Sequence, residues 1–170
     1  PLEESLWVEA AERADSLGVD VINTSLGYTT FDNPNYDYEY ADMDGNTTFI
    51  TRGAEMTFSR GMIVVNSAGN SGNDSWHYIS AAADAKSVLS IGAVAAAVTI
   101  AYFSSFGPTA DGRVKPDVSA QGANVYIINA SGNIATSNGT SFSSPVITGV
   151  IACLWQAFPT KTNAEITQLI

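Results

Sequence analysis

The sequence predicts an α/β fold in which helices flank a mostly parallel sheet. Segments with apolar residues at helical spacing alternate along the chain with short runs rich in Val and Ile, and this alternation is typical of parallel sheets covered by helices. The 170 residues suit one domain or a large part of one, and neither an internal repeat nor a low-complexity linker divides them. We therefore treat residues 1–170 as one unit.

Helix caps, helix stops and apolar runs set the expected elements. Gly18 and Gly61 each follow a helical pattern and precede a β-branched run, so each marks the end of a helix. Thr47 or Thr48 is placed to cap the second helix, and residues 28–46 have the aromatic and acidic composition of a loop. We expect helices over residues 6–17, 49–60 and 142–158, a helix start at residue 163, and strands over residues 19–23, 62–66, 88–94, 98–102 and 125–128.

The third predicted helix has no charged face. Small side chains separate its apolar positions, which run from Phe142 through Val146 and Val150 to Phe158. A helix of this kind is usually buried within a domain, and we expect the same here. Cys153 falls inside this helix and is interpreted as a small core residue. As the only cysteine in the sequence, it excludes an intrachain disulfide.

Charge and hydropathy exclude two classes of partner. The net charge of −10 and the pI of about 4.2 repel phosphate backbones, so we expect no nucleic-acid binding. The longest apolar stretch, residues 91–102, is too short for a transmembrane helix and is interrupted by Gly92 and Thr99. We therefore expect no membrane partner.

The start of the third helix carries the first candidate for chemistry. Ser141 stands where the helix opens, and Pro145 follows at a point where a missing N–H costs little. A serine at a helix N-terminus lies among N–H groups that lack helical acceptors, at the positive end of the helix dipole. Those groups can stabilise an oxyanion that forms beside the serine. Ser and Thr are also ordinary N-caps, so capping is an equal alternative for this segment alone.

Two further segments follow predicted strands. Asn70 comes just after the strand over residues 62–66, at a carboxyl edge where open α/β sheets place ligands, and its amide can donate a hydrogen bond to developing negative charge. Residues 25–27 follow the strand over residues 19–23, and their backbone can pair with an extended peptide. Taken alone, each segment is equally consistent with a turn.

Together, the three segments resemble motifs of the subtilase family, the subtilisin-like serine peptidases. Residues 139–145 (Gly-Thr-Ser-Phe-Ser-Ser-Pro) are similar to the family's nucleophile motif, residues 68–72 to its Ala-Gly-Asn-x-Gly oxyanion segment, and residues 25–27 to its Ser-Leu-Gly substrate segment. Residues 103–108 and 115–118 match two supporting stretches, so the resemblance covers nearly the whole chain. It implies a subtilisin-like three-layer fold and a serine endopeptidase that forms an acyl-enzyme.

The resemblance implies a role for each matched residue. Ser141 would be the nucleophile, and Asn70, with the backbone N–H of Ser141, would supply the oxyanion hole. The partner would be a peptide or protein substrate, and no cofactor or catalytic metal is implied. The resemblance also implies a secreted or cell-envelope protein from a bacterium. The residues expected along the substrate, of which the last three would wall the specificity pocket, are Ser25, Leu26, Gly27, Ser67, Ala68 and Gly69.

The family's Asp and His motifs have no counterpart in this sequence. Few residues precede Ser25, so we expect both motifs upstream and interpret residues 1–170 as the nucleophile and oxyanion half of a peptidase domain, incomplete at its N-terminus. His77 is the only histidine and lies after the oxyanion segment, so we expect a surface or packing histidine there and not a catalytic base. Without a positioned base Ser141 is a weak nucleophile, and the chain alone is expected to be inactive. The alternative is a non-catalytic, peptide-binding pseudoprotease domain.

Three local features extend these expectations. Residues 81–84 and 119–122 lack the proline that the family commonly has there, which leaves the pocket's shape open. The acidic residues 42–46 fail as an EF-hand, because the position of its bidentate Glu falls on Gly53. A solvated loop is expected there, with an irregular structural Ca²⁺ site as the alternative. Without upstream strands, an exposed sheet edge and core face would allow this chain to dimerise.

Overall fold

In a computed structural model of the protein, residues 2–170 are described, and their helices and strands follow the predicted alternation. Two 3-10 turns, Pro34–Tyr36 and Tyr40–Asp42, lie within the loop predicted over residues 28–46. The helices are α1 (Leu2–Ser16), α2 (Phe49–Ser59), α3 (Thr140–Ala157) and α4 (Asn163–Thr167), and the strands are β1 (Val21–Thr24), β2 (Ile63–Ser67), β3 (Leu89–Val94), β4 (Val118–Gln121), β5 (Val125–Ile128) and β6 (Ile134–Ser137).

Four of the strands form one parallel sheet, in the order β1-β2-β3-β4. Thr24 at the end of β1 lies beside Asn66 near the end of β2. The carboxyl ends of these strands therefore meet at one edge, which brings the segments that follow β1 and β2 together. β5 and β6 form a separate antiparallel hairpin.

Helices cover both faces of the parallel sheet. Val64 packs with Ile50 and Ala54 of α2 in one buried cluster, whereas its neighbours on β2 pack with residues of α3 and α4 in another. Because successive strand residues point to opposite faces, these clusters are the two interfaces of a three-layer arrangement. The predicted α/β fold with a mostly parallel sheet is confirmed.

Local contacts explain which element boundaries were predictable. Thr48 caps α2, since its Oγ1 accepts a hydrogen bond of 3.3 Å from the Thr51 N–H. The strand predicted over residues 98–102 is wrong. Those residues turn back through an isolated bridge between Ile100 and Val94, and Val98 has a φ of +59°. Both apolar side chains, Val98 and Ile100, are exposed, because within residues 2–170 this segment pairs through that isolated bridge and forms no ladder.

α3 buries only one of its faces. Ile151 is fully buried against the sheet, but Val146 and Val150 are each 51% exposed. Cys153 is also exposed, so the prediction of a helix buried all round, with Cys153 in the core, is wrong for the described residues. The cause is that the sheet covers one side of α3 only. Although α3 is long and uncharged, no helix within residues 2–170 combines the length and apolarity needed to cross a membrane.

Candidate active site

Ser141 and Asn70 lie in one pocket at the carboxyl edge of the parallel sheet. The N-terminus of α3 meets the segments that follow β1 and β2 there, and the volume of the open pocket is about 170 Å³. Every predicted site residue lines this pocket except Ala68, which is fully buried behind it. The topology thus brings together three segments that are at least 40 residues apart in the sequence.

The hydroxyl of Ser141 is not used to cap α3. The N-cap is Gly139, which makes no side-chain cap, so the capping alternative for Ser141 is wrong. Ser141 is the second residue of the helix, where the backbone N–H has no helical acceptor. Its Oγ lies 3.5 Å from the carbonyl oxygen of Ser25, and Ser25 Oγ donates a hydrogen bond of 3.1 Å back to the Ser141 carbonyl. The two segments therefore hold the hydroxyl at the mouth of the pocket.

Thr140 fixes the orientation of the Asn70 amide. Both the backbone N–H and the hydroxyl of Thr140 donate to Asn70 Oδ1, at 2.9 and 3.1 Å. With Oδ1 held on that side, Nδ2 is the end of the amide that remains available as a donor. Asn70 Nδ2 and the Ser141 N–H are then two donors in one pocket beside a serine hydroxyl, the set that an oxyanion requires. Thr140 belongs to the motif that contains Ser141, but sequence reasoning gave it no role.

Backbone contacts keep the pocket walls in place. Gly69 has a φ of +113°, and a side chain there would come within 2.9 Å of Ser105 Oγ, so only glycine suits the position. The Gly69 N–H donates to Thr140 Oγ1 at 3.2 Å. The buried Asn66 donates from Nδ2 to the carbonyl of Leu26 at 3.1 Å and ties the two walls together. Its position at the end of a buried strand was a signal for such a role.

Hydrogen bonds to Asp84 hold the turn over residues 81–84, which has no proline. Asp84 is fully buried, and its carboxylate accepts hydrogen bonds from the Thr51 hydroxyl at 2.6 Å and the Gly45 N–H at 2.8 Å. Burial raises the pKa of Asp84 above its ordinary value, although both hydrogen bonds oppose that shift. This carboxylate links the turn to α2 and to the loop before it. Ser80, immediately before the turn, lines the pocket and was missed from the sequence.

The second segment without proline supports the start of α3. Residues 119–121 lie in β4, and the Gly122 carbonyl accepts a hydrogen bond of 2.9 Å from the Gly139 N–H. A Cβ atom at Gly122 would lie 2.7 Å from the carbonyl oxygen of Gly139. The close approach of these two backbones sets where the helix that carries Ser141 begins.

His77 and the acidic loop lie away from this chemistry. The His77 ring packs against Tyr78 and Phe106, with centroids 4.1 and 5.3 Å away, and His77 does not line the pocket. Its predicted packing role is confirmed.

The Asp44 carboxylate accepts hydrogen bonds from the backbone N–H of Asn46 and from the backbone N–H and hydroxyl of Thr47. Burial tends to raise the pKa of Asp44, but these bonds outweigh it and lower the pKa. Within the described residues, no three His, Cys, Asp or Glu side chains cluster to hold a metal ion.

Comparisons with known proteins agree on one family and one fold. The family model described as the subtilase family matches residues 1–170. The chain is 30% identical to serine protease AprX of Bacillus subtilis (strain 168), over 89% of this chain and 37% of that protein. It is 31% identical to subtilisin DY of Bacillus licheniformis, over 95% of this chain and 52% of that protein.

Solved structures share the fold at lower identity. The self-cleaved protease domain of PatA superposes with a TM-score of 0.72 and 22% identity, covering 96% of this chain and 57% of that one. The PatG macrocyclase in complex with peptide gives 0.71 and 21%, covering 95% and 45%. The chain thus spans about half the length, or less, of the curated relatives compared above.

Proposed function

The chain belongs to the subtilase family, and on that basis we propose that its parent protein is a serine endopeptidase with Ser141 as nucleophile. The observation that carries the proposal is the double hydrogen bond from Thr140 to Asn70 Oδ1. It leaves Asn70 Nδ2 available in the same pocket as the Ser141 hydroxyl and N–H. In an ordinary turn, an asparagine Oδ1 accepts from N–H groups close to it in the sequence, whereas the partner of Asn70 belongs to the segment that carries Ser141, 70 residues away.

The proposed reaction proceeds through an acyl-enzyme. Ser141 Oγ bonds to the scissile carbonyl carbon while a base takes its proton, and the carbonyl oxygen becomes an oxyanion that accepts from Asn70 Nδ2 and the Ser141 N–H. The C–N bond then breaks as the same proton passes to the leaving amine. Water, deprotonated in turn, hydrolyses the ester and regenerates Ser141. The peptide lies along residues 25–27.

The base belongs, in this proposal, to an upstream segment of the parent. His77 packs on Tyr78 and Phe106 outside the pocket, so no histidine among the described residues is positioned to accept the Ser141 proton. We therefore expect the chain of residues 1–170 to be inactive by itself. The alternative is a pseudoprotease whose pocket binds a peptide without cleaving it.

Labelling with a fluorophosphonate separates these functions. The reagent reacts with activated serines, and intact mass reports each addition. We expect one label on the complete protein, none on its Ser141→Ala variant and none on the isolated chain. A label on the isolated chain would mean that a base is present within residues 1–170. A complete protein that folds, binds peptide and takes no label would support the pseudoprotease.

Turnover of a peptide substrate tests the oxyanion donor. Asn70→Ala in the complete protein should lower kcat by about 10²–10³, the loss that subtilisin itself shows when its oxyanion asparagine is removed. KM should change far less, because the interaction forms mainly in the transition state. An unchanged kcat would remove Asn70 from the mechanism.

Partners and location complete the proposal. A peptide or protein substrate is supported by the PatG structure, which holds a peptide, and a bacterial source by the Bacillus relatives. A secreted or cell-envelope location is part of the same proposal. The chemistry above needs no cofactor, and a structural Ca²⁺ would serve stability alone.

A further inference from the structure

A buried asparagine interrupts an otherwise apolar strand. Asn66 is fully buried in β2, and the three strand residues before it are Ile63, Val64 and Val65. Its Oδ1 makes no hydrogen bond within the described part of the chain, and an unpaired buried acceptor lowers stability. Native proteins depart from such rules mainly at functional sites, so the bonds made by the other end of this amide indicate its role.

The Asn66 amide acts on the walls of the pocket from behind. Asn66 does not line the pocket that holds Ser141. Its Nδ2 donates to the carbonyl of Leu26 at 3.1 Å and to that of Ser67 at 2.9 Å. Leu26 belongs to the segment that follows β1, and Ser67 ends β2. One amide group therefore sets how the two walls face each other.

Two inward contacts decide which way the backbone after β1 faces. The Leu26 carbonyl is turned inward to Asn66. Tyr28 exchanges two hydrogen bonds with Ala81, of 2.9 Å from its N–H and 3.2 Å to its carbonyl. In an extended chain, the N–H and C=O of one residue point to the side opposite those of its neighbours. The groups of Gly27 therefore face the pocket that it lines, and neither is hydrogen-bonded within the described part of the chain.

We propose that Asn66 is a positioning residue for the substrate backbone: by holding the Leu26 carbonyl, it keeps the N–H and C=O of Gly27 turned towards an extended peptide that pairs with both. The inference rests on the proposed peptidase function and deepens it, since it makes peptides long enough to reach Gly27 the preferred substrates. Main-chain pairing of this kind is how a peptide adds to the edge of a sheet. Asn66 itself touches no substrate atom.

The distance from Ser141 places the paired substrate residue. Ser141 Oγ lies 3.5 Å from the carbonyl oxygen of Ser25, and Gly27 is two residues further along the chain. An extended chain advances about 3.3 Å per residue, so the partner of Gly27 lies about two residues from the scissile bond. Substrates shorter than this gain nothing from the orientation of Gly27.

Peptides of increasing length test the inference on the complete protein. The series shares one scissile bond and grows by one residue at a time on each side of it. For the wild-type protein, kcat/KM should rise at the step that adds the residue facing Gly27, and N-methylation of that residue should abolish the rise. If kcat/KM of the wild-type protein is the same along the whole series, the inference is overturned without any variant having to fold.

Two variants remove the donor and differ in bulk. Asn66→Val fills the site and Asn66→Ala leaves it empty, so an effect that they share belongs to the lost hydrogen bond. The gain in kcat/KM at that step should shrink by about two- to tenfold, the worth of one hydrogen bond. A merely destabilised protein would lower kcat/KM for every substrate by one factor and keep the gain. A gain that stays at its wild-type value in both variants would therefore refute the role of Asn66.

Ser90 offers a matched control. It lies beside Asn66 on β3, is also fully buried, and has an Oγ without a partner in the described part of the chain, so its side chain holds neither wall by a hydrogen bond. Ser90→Ala should keep the wild-type gain at every step. A loss as large as that of the Asn66 variants would mean a general disturbance of the sheet and would overturn the inference.

Failure of the proposed function is a separate outcome. If the folded complete protein takes no fluorophosphonate label and cleaves no peptide, the peptidase proposal falls. Dissociation constants of the same peptides then replace kcat/KM, because pairing with Gly27 is a binding event, and affinities that do not rise with length overturn the inference as well. If the protein is labelled at Ser141 and cleaves short and long peptides equally, the peptidase proposal stands and this inference alone falls.

Discussion

Removing the Thr140 hydroxyl should weaken catalysis by disturbing Asn70 without touching the substrate. Thr140 is fully buried, and its Oγ1 lies 3.1 Å from Asn70 Oδ1 and 3.2 Å from the Gly69 N–H, which donates to it. Thr140→Val keeps the shape of the side chain and deletes both interactions. The Thr140 backbone N–H still donates to Asn70 Oδ1, so the amide should be loosened but not released.

The magnitudes follow from these contacts. A neutral hydrogen bond contributes about 0.5–1.5 kcal/mol net, so losing one of the two donors to Asn70 should lower kcat about two- to tenfold. That is well short of the loss expected for Asn70→Ala. Stability should fall by about 1–3 kcal/mol, because the Gly69 N–H is left without its acceptor in a part-buried position.

The assay compares kcat, KM and thermal unfolding of Thr140→Val with those of Thr140→Ser in the complete protein. Ser keeps the hydroxyl and loses only a methyl group, so its kcat should stay near the wild-type value. The reasoning is refuted if both variants have the same kcat, or if Val raises KM and leaves kcat unchanged, since neither result is compatible with a hydroxyl that orients an oxyanion donor.

Three other predictions concern stability, its pH dependence and association. Asp84→Ala leaves the Gly45 N–H and the Thr51 hydroxyl without their acceptor, so the free energy of unfolding of the complete protein should fall by about 2–5 kcal/mol; a loss under 1 kcal/mol would contradict this. Burial raises the folded pKa of Asp84 above its ordinary value, so the native state binds that proton more tightly than the unfolded state. The contribution of Asp84 to stability is therefore greatest below its unfolded pKa and declines as the pH rises towards its folded pKa. When the free energy of unfolding is measured from about pH 3 upward, Asp84→Asn should not show this decline. A variant with the same pH profile as the wild-type protein would contradict the prediction. The isolated chain should self-associate through the edge strand β1 and the exposed apolar face of α3; light scattering that shows a stable monomer would contradict that.

Short-range signals in the sequence predicted most elements. Gly18 and Gly61 stop the helices before β1 and β2, both have positive φ, and Thr48 caps α2 as expected. The strand over residues 125–128 was predicted with its observed bounds. Each of these features depends on neighbours in the sequence, which is why pattern alone suffices.

Features that depend on distant partners were missed. β4 has the mixed sequence Val-Ser-Ala-Gln and is a strand because β3 pairs with it, whereas the more apolar residues 98–102 lack a ladder partner and turn back. The same distinction holds in the pocket. Motifs identified Ser141 and Asn70, but the significance of Ser80 arises from its contact with Gly27 and Gly69. No local pattern around residue 80 records that contact.

α3 shows what a helical pattern without charged residues does and does not encode. Its lack of charge predicted burial on every side, but Ile151 is buried while Val150, its neighbour, is half exposed. Solvent-facing positions of helices usually carry polar or charged residues, so the apolar and uncharged outer face of α3 favours contact with another surface. The edge strand β1, which α3 covers from one side, adds unpaired backbone groups next to that face. Because of these two features, we expect either a further segment of the parent protein or a second copy of the chain to cover the outer face of α3 and the edge of β1. Light scattering distinguishes them: a second copy would make both the isolated chain and the complete protein associate, whereas a further segment would leave the complete protein monomeric.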